Sequence, residues 1–169
     1  WLRESLDEEG FADRIAEWAY NRENLLRIIP LVKERVDVFS ELAPMIGFFA
    51  EGLPDVSEES FQLKGVEMEN VKRYLQFSLW RLEAHQDWQR DSLNQLFNDL
   101  AAEMGIKIRD LLAPMFVAIS GKPVAPPLFD SMAVLGPDMT RARVRNALTA
   151  IGGVSKKQVK KLEKEYRQL

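Results

Sequence analysis

Pro123, Pro126 and Pro127 fall within five residues of a chain otherwise patterned for helix. Proline removes a backbone donor and fixes φ, so residues 122–127 cannot continue a helix and must form a stiff loop with exposed carbonyls and edges. Ahead of the loop, Ile108, Leu111, Leu112, Met115, Phe116 and Ile119 recur at spacings of three and four. That spacing predicts a helix over residues 106–119, stopped by Ser120-Gly121. Behind the loop, a short helix over 128–135 starts just after Pro127, where a proline suits the first turn, and ends at Gly136. A loop ordered before binding grips a partner at small entropic cost, so residues 105–136 are where function is read first.

The charge divides at the same place. Residues 1–103 carry 11 Lys and Arg against 21 Asp and Glu, whereas residues 104–169 carry 12 against 5. A basic end on an acidic body suits a molecule that presents one face to a polyanion, because clustered cations release counterions from phosphates. A solvated helix face is the alternative for charge asymmetry alone. The longest uncharged run, residues 111–121, falls well short of the roughly 20 residues a membrane span needs, and the first residues, Trp1, Leu2, Arg3 and Glu4, show no signal-peptide pattern. The start without Met reads as a piece of a longer protein. The absence of cysteine excludes disulfides and thiolate metal sites, consistent with a cytoplasmic chain.

The remaining segments are also helical in pattern. Helices are predicted over residues 6–20, over 21–36 with Asn21 as cap and Pro30 bending it, and over a short apolar segment at 39–49. Gly52, Pro54, Asp55 and Ser57 make the clearest break, and a subdomain boundary is placed near Val56. Two helices follow: one to Ala84 through Val71, Tyr74, Leu75, Leu79 and Leu82, the other from Trp88 through Leu93, Leu96, Phe97, Leu100 and Met104. Residues 85–87 form the turn between them. A helix over 137–151 and a mostly charged one over 155–169, with a narrow seam of Val159, Leu162, Tyr166 and Leu169, complete the chain. No run of period-two alternation occurs. The expected fold is all-α: two packed helical subdomains, 1–56 and 57–169, with right-angled and bundle-like helices and no sheet.

Chemistry is sparse. There is no Gly-rich phosphate loop, no nucleophile elbow and no paired-histidine spacing. The single histidine, His85, reads as a turn or surface residue. Adjacent carboxylates such as Glu58-Glu59 point in different directions on a helix and read as solvated surface. Arg141 and Arg145 lie one turn apart, as do Lys157 and Lys161, so each pair faces one way and could reach phosphates.

The ordered segments resemble the carboxy-terminal anticodon-binding region of bacterial glutamyl-tRNA synthetases. That family shows a G-[IV]-K-x helix start, a P-L-R-x-A-[LI]-[ST]-G helix end, a Pro-rich loop and an L-F-x-x-x-x-L-G helix. Here they stand as Gly105-Ile106-Lys107, Pro114-Met115-Phe116-Val117-Ala118-Ile119-Ser120-Gly121, Pro126-Pro127, and Leu128-Phe129 with Leu135-Gly136. Upstream, residues 32–42, Val-Lys-Glu-Arg-Val-Asp-Val-Phe-Ser-Glu-Leu, are similar to the family's L-x-x-R-x-x-T-L-x-E-[LA] segment. The resemblance covers residues 23–150. Phe116 stands where the family usually has Arg, so a cationic contact to the anticodon loop is replaced by stacking or lost.

The resemblance implies that this chain recognises and positions tRNA(Glu), with the catalytic domain of the parent ligase in cis and no membrane or DNA partner. The parent would couple glutamate to tRNA with ATP and Mg2+. The family's catalytic signatures, an H-x-G-H type motif and a K-M-S-K-S type loop, are absent, so the segment itself is expected to be inactive and to hold no cofactor or metal. At the family position matching Arg35, an arginine reads the third anticodon base, C in glutamate tRNA and G in glutamine tRNA; a planar donor fork suits such a splayed base. Arg35, Ile108, Phe116, Ala125, Pro126 and Leu128 are therefore the expected anticodon-facing residues, and Arg141, Arg145, Lys157 and Lys161 the expected phosphate contacts. Phe116 and Leu128 fit a core stripe equally well, and Trp88 reads as a core anchor before a stacking platform. The rival from another class is a helical protein-interaction module whose groove binds a partner helix.

Overall fold

A computed structural model of the chain describes residues 21–123 and 126–169. Among them are seven α-helices: α1 (Arg22–Val32), α2 (Phe39–Ile46), α3 (Met68–Ala84), α4 (Arg90–Glu103), α5 (Ile108–Ser120), α6 (Leu128–Ala150) and α7 (Lys156–Tyr166). Two 3-10 turns, Gly47–Phe49 and Glu58–Phe61, join them, and no described residue is in a strand. The all-α expectation holds. The helix expected over residues 6–20 lies outside the described residues, as do Val124 and Ala125.

Local chemistry sets the ends of these helices. Asn21 caps α1, its Oδ1 accepting the Asn24 N–H at 2.9 Å. Ser155 and Gln158 form a reciprocal capping box at the start of α7. α1 stops at Val32, four residues short of the expected end, although Pro30 is accommodated inside it. The Arg35 N–H turns back to the Val32 carbonyl at 2.8 Å, and the Glu41 carboxylate takes the Asp37 N–H at 2.9 Å. These two bonds give residues 33–38 a defined non-helical path. Trp88, expected on a helix, lies instead in the connection before α4, where its Nε1 donates to the His85 carbonyl.

The helices expected over 128–135 and 137–151 run almost end to end as α6. Only Gly136 departs from helical backbone, at φ 77 and ψ 175, a combination essentially confined to glycine. Pro137, with no N–H to offer, follows at once.

α6 is the hub, packing against α1, α3, α4 and α5. Its apolar side, with Met132, Val144 and Ala147, meets Val71, Leu75 and Leu82 of α3, Leu93 and Phe97 of α4, and Leu111 and Met115 of α5 in one continuous core, all fully buried. Each Val, Leu, Met and Phe side chain among them stabilises the fold by about 1.5–3 kcal/mol through burial. The expected boundary near Val56 falls in an irregular segment, but the core continues across it through Phe48, Phe49 and Phe61. No helix among the described residues is long and apolar enough to cross a membrane.

Candidate nucleic-acid interface

The proline loop rises from the end of α5 and returns into α6. Gly121 ends α5 in the left-handed conformation, φ 74, with its N–H on the Val117 carbonyl. Ser120 locks the exit: its hydroxyl donates to the Phe116 carbonyl at 2.8 Å and accepts the Lys122 N–H at 3.3 Å. On the far side the Ser131 hydroxyl donates to the Pro127 carbonyl at 2.8 Å. Lys122 and Pro123 are exposed, whereas Pro126 is buried. The loop is therefore pinned at both feet, and its start at Lys122 and Pro123 is left to solvent.

Beneath the near foot lies Arg143 of α6, fully buried. Its Nε donates to the Gly52 carbonyl at 2.7 Å, Nη1 to Ile119 at 2.5 Å and Nη2 to Phe48 at 2.6 Å. One planar fork thus ties the end of α5, the 3-10 turn after α2 and the irregular segment beyond it to α6. Burial lowers its pKa well below the usual arginine range, to about 10, with the charge of Glu51 opposing the shift, so it remains a cation at neutral pH. Asn146, one turn on, adds a bond to the Pro54 carbonyl at 2.9 Å, and a Cβ on Gly121 would meet the Pro54 ring at 3.4 Å.

The sequence carries a signal for the burial of Arg143. Its neighbours Arg141 and Arg145 turn toward the end of α3, but Arg143 sits in the stripe of Thr140, Val144, Ala147, Leu148 and Ile151, all buried. A cation inside an apolar stripe must be paid for by bonds, here three.

The expected anticodon-facing residues divide by exposure. Arg35 is exposed, in the turn just past α1. Ile108, in the first turn of α5, and Phe116 are half-buried against the core. Leu128 is 5% exposed, so its side chain belongs to the core and supports the loop's far foot rather than offering a face to a base. α1, which leads into the Arg35 turn, is joined to the first half of α6 by the Arg27 Nη2 bond to the Ala133 carbonyl at 3.0 Å. The Arg35 turn and the proline loop are thus fixed to one helix.

The expected phosphate contacts also divide. Arg141 is half-buried, with Nε and Nη2 on the Leu82 carbonyl at 3.0 and 2.7 Å and Nη2 also on that of His85 at 3.2 Å. Its guanidinium carbon lies 5.3 Å from the Trp88 ring centroid. These bonds close the carboxyl end of α3, leaving Arg141 a structural clamp rather than an open phosphate contact. Arg145 pairs with Glu83 at 2.6 Å and Lys161 with Glu69 at 3.5 Å, both at the surface. Lys157 is exposed and pairs with no carboxylate among the described residues. His85 follows α3 directly, with a ring nitrogen 3.1 Å from the Ser92 hydroxyl. No cluster of three or more His, Asp or Glu that could hold a metal ion occurs among the described residues.

Comparison with known proteins converges on one class. The family model described as "Anticodon binding domain" matches residues 10–148. A glutamate–tRNA ligase of Marinomonas sp. (strain MWYL1) is 46% identical over 169 residues, which is 100% of this chain and 34% of that protein. Glutamate–tRNA ligases of Cellvibrio japonicus and Saccharophagus degradans are 44% and 42% identical, again over 100% of this chain and 34% of theirs. The chain spans about a third of the length of the curated relatives it matches.

Proposed function

The chain belongs to the anticodon binding domain family, and we propose that it is the part of a glutamate–tRNA ligase that recognises and positions tRNA(Glu). The observation that carries this reading is similarity along the whole chain to ligases of that one name. The geometry supports it. A stiff loop with an exposed start and two pinned feet is what an unstacked anticodon can meet without ordering cost. An exposed arginine fork stands at the end of α1, held to the same scaffold.

In this reading Arg35, in the segment to Val56, reads the third anticodon base. Ala125 and Pro126 shape the loop that receives the others, and Phe116, with Ile108, supplies apolar surface where relatives of the resembled family carry a cation. Arg145, Lys157 and Lys161 neutralise phosphates; the two surface ion pairs among them are weak enough to exchange for RNA. The complete ligase would use ATP and Mg2+ in the cytoplasm, with the aminoacylation chemistry supplied by its catalytic domain in cis.

Titration of fluorescently labelled tRNA(Glu) and an unrelated tRNA across a salt series tests the assignment. Tighter binding of tRNA(Glu), with affinity falling linearly in log salt, is expected. Equal affinity for both RNAs would contradict recognition, and no binding at low salt would contradict the tRNA assignment.

A further inference from the structure

α7 carries its charge in a way that works against its own stability. Its first turn holds Lys156 and Lys157 and no acid, so two cations stand at the positive end of the helix dipole. At about 100° per residue, Lys156, Lys157, Lys160, Lys164 and Arg167 fall within one sector of about 100°, with the exposed Glu163 as the one acid at its edge. All five are exposed, and none is ion-paired among the described residues. The i, i+4 pairs Lys156 with Lys160 and Lys160 with Lys164 repel. The carboxylate of Glu165 and the ammonium of Lys161 are turned to the seam with α3, where they meet Arg73 and Glu69. Tyr166 packs there edge-on against Phe77 and tilted against Trp80, with ring centroids 5.2 and 5.1 Å away. The outward face therefore has no part in holding the fold together.

We propose that this outward face of α7 is a phosphate rail, a docking surface for the sugar-phosphate backbone of the bound tRNA outside its anticodon. The proposal rests on the tRNA-binding reading above and extends it beyond residues 10–148, where the family match ends. Four helical residues rise about 6 Å, so the cations recur regularly along the helix and can follow successive phosphates of one strand. Lysine ammoniums are point charges that neutralise phosphate without selecting a base. No aromatic ring lies in this sector, so it offers no platform for stacking. A membrane surface is the poorer partner, because the apolar residues an interfacial helix would insert, Leu162 and Tyr166, are packed in the fold.

The test is the salt series on this 169-residue chain and on a variant with Lys156, Lys157, Lys160, Lys164 and Arg167 all changed to Gln. The variant is expected to keep its helical circular dichroism and to melt no lower than the unmodified chain. Its slope of log affinity against log salt should fall by roughly 3.5 to 4.5, at about 0.7–0.9 for each of the five phosphates no longer neutralised. The weakening should be the same for tRNA(Glu) and an unrelated tRNA. If the unmodified chain binds tRNA and the variant's slope is unchanged, the rail is wrong and the tRNA reading stands. If the unmodified chain binds no tRNA at low salt, both fail. Loss of binding to phosphatidylserine vesicles with an unchanged tRNA slope would overturn the rail in favour of a membrane contact.

Discussion

Two arginines two residues apart in α6 do opposite work, and substitutions separate them. Arg143 neutralises three main-chain carbonyls in a site closed to solvent. Arg143→Met leaves those carbonyls buried and unpaired, so urea denaturation should show stability lowered by about 3 kcal/mol or more. A loss under about 1 kcal/mol would contradict the clamp. Arg145 meets Glu83 at the surface, where such a pair contributes about 0–1 kcal/mol. Arg145→Gln should leave the melting temperature within a degree or two and weaken all tRNAs alike. Arg141→Gln should do the reverse, lowering the melting temperature with little change in salt slope, because its donors already serve Leu82 and His85. Sequence spacing put Arg141 and Arg145 on one face correctly; it could not show that α3 ends beneath one of them. Which carbonyls are left unpaired at a helix end is settled by tertiary packing, not by the residues at either partner.

Among the elements, α6 and α7 depend on single local devices. Gly136 lets two helical runs follow each other with one residue between them. No atom lies within 4 Å of where its Cβ would stand, so the cost of Gly136→Ala comes from backbone strain, about 1–3 kcal/mol, not from a clash. Equilibrium denaturation measures it, and an unchanged midpoint would contradict that account. Helix positions were legible because the apolar stripes are regular. The end of α1 was not, since the path beyond it depends on the Arg35 N–H turning back to the Val32 carbonyl and on the Glu41 carboxylate holding the Asp37 N–H. Nor was the place of Trp88, whose indole bonds to the connection and faces Arg141.

The docking of α7 should also respond to alkali. Burial raises the Tyr166 pKa above its ordinary 10.0, opposed by the nearby Arg81 guanidinium. A group whose folded pKa is raised gives stability that is present below the unfolded value and lost as pH rises through the folded one. Trp80 fluorescence should therefore change above pH 10 as α7 loosens, and Tyr166→Phe should remove that change. A Tyr166→Phe protein with the same alkaline transition would contradict it.

At the scale of the molecule, the Arg35 turn and the proline loop are carried on one helix, α6, through Arg27 and Arg143. Reading several unstacked bases at once requires such a fixed separation. The resemblance in sequence pointed to both segments, but not to the buried cation that seats the loop. The measurement that tests the account most directly compares binding of two tRNA(Glu) transcripts that differ only in the third anticodon base, C or G, by this chain and by Arg35→Gln. The unmodified chain should prefer C by the roughly 1–3 kcal/mol of one good base contact, and Arg35→Gln should lose most of that preference while general affinity falls less. Equal binding of both transcripts by the unmodified chain, or a C preference unchanged in Arg35→Gln, would contradict anticodon reading by Arg35.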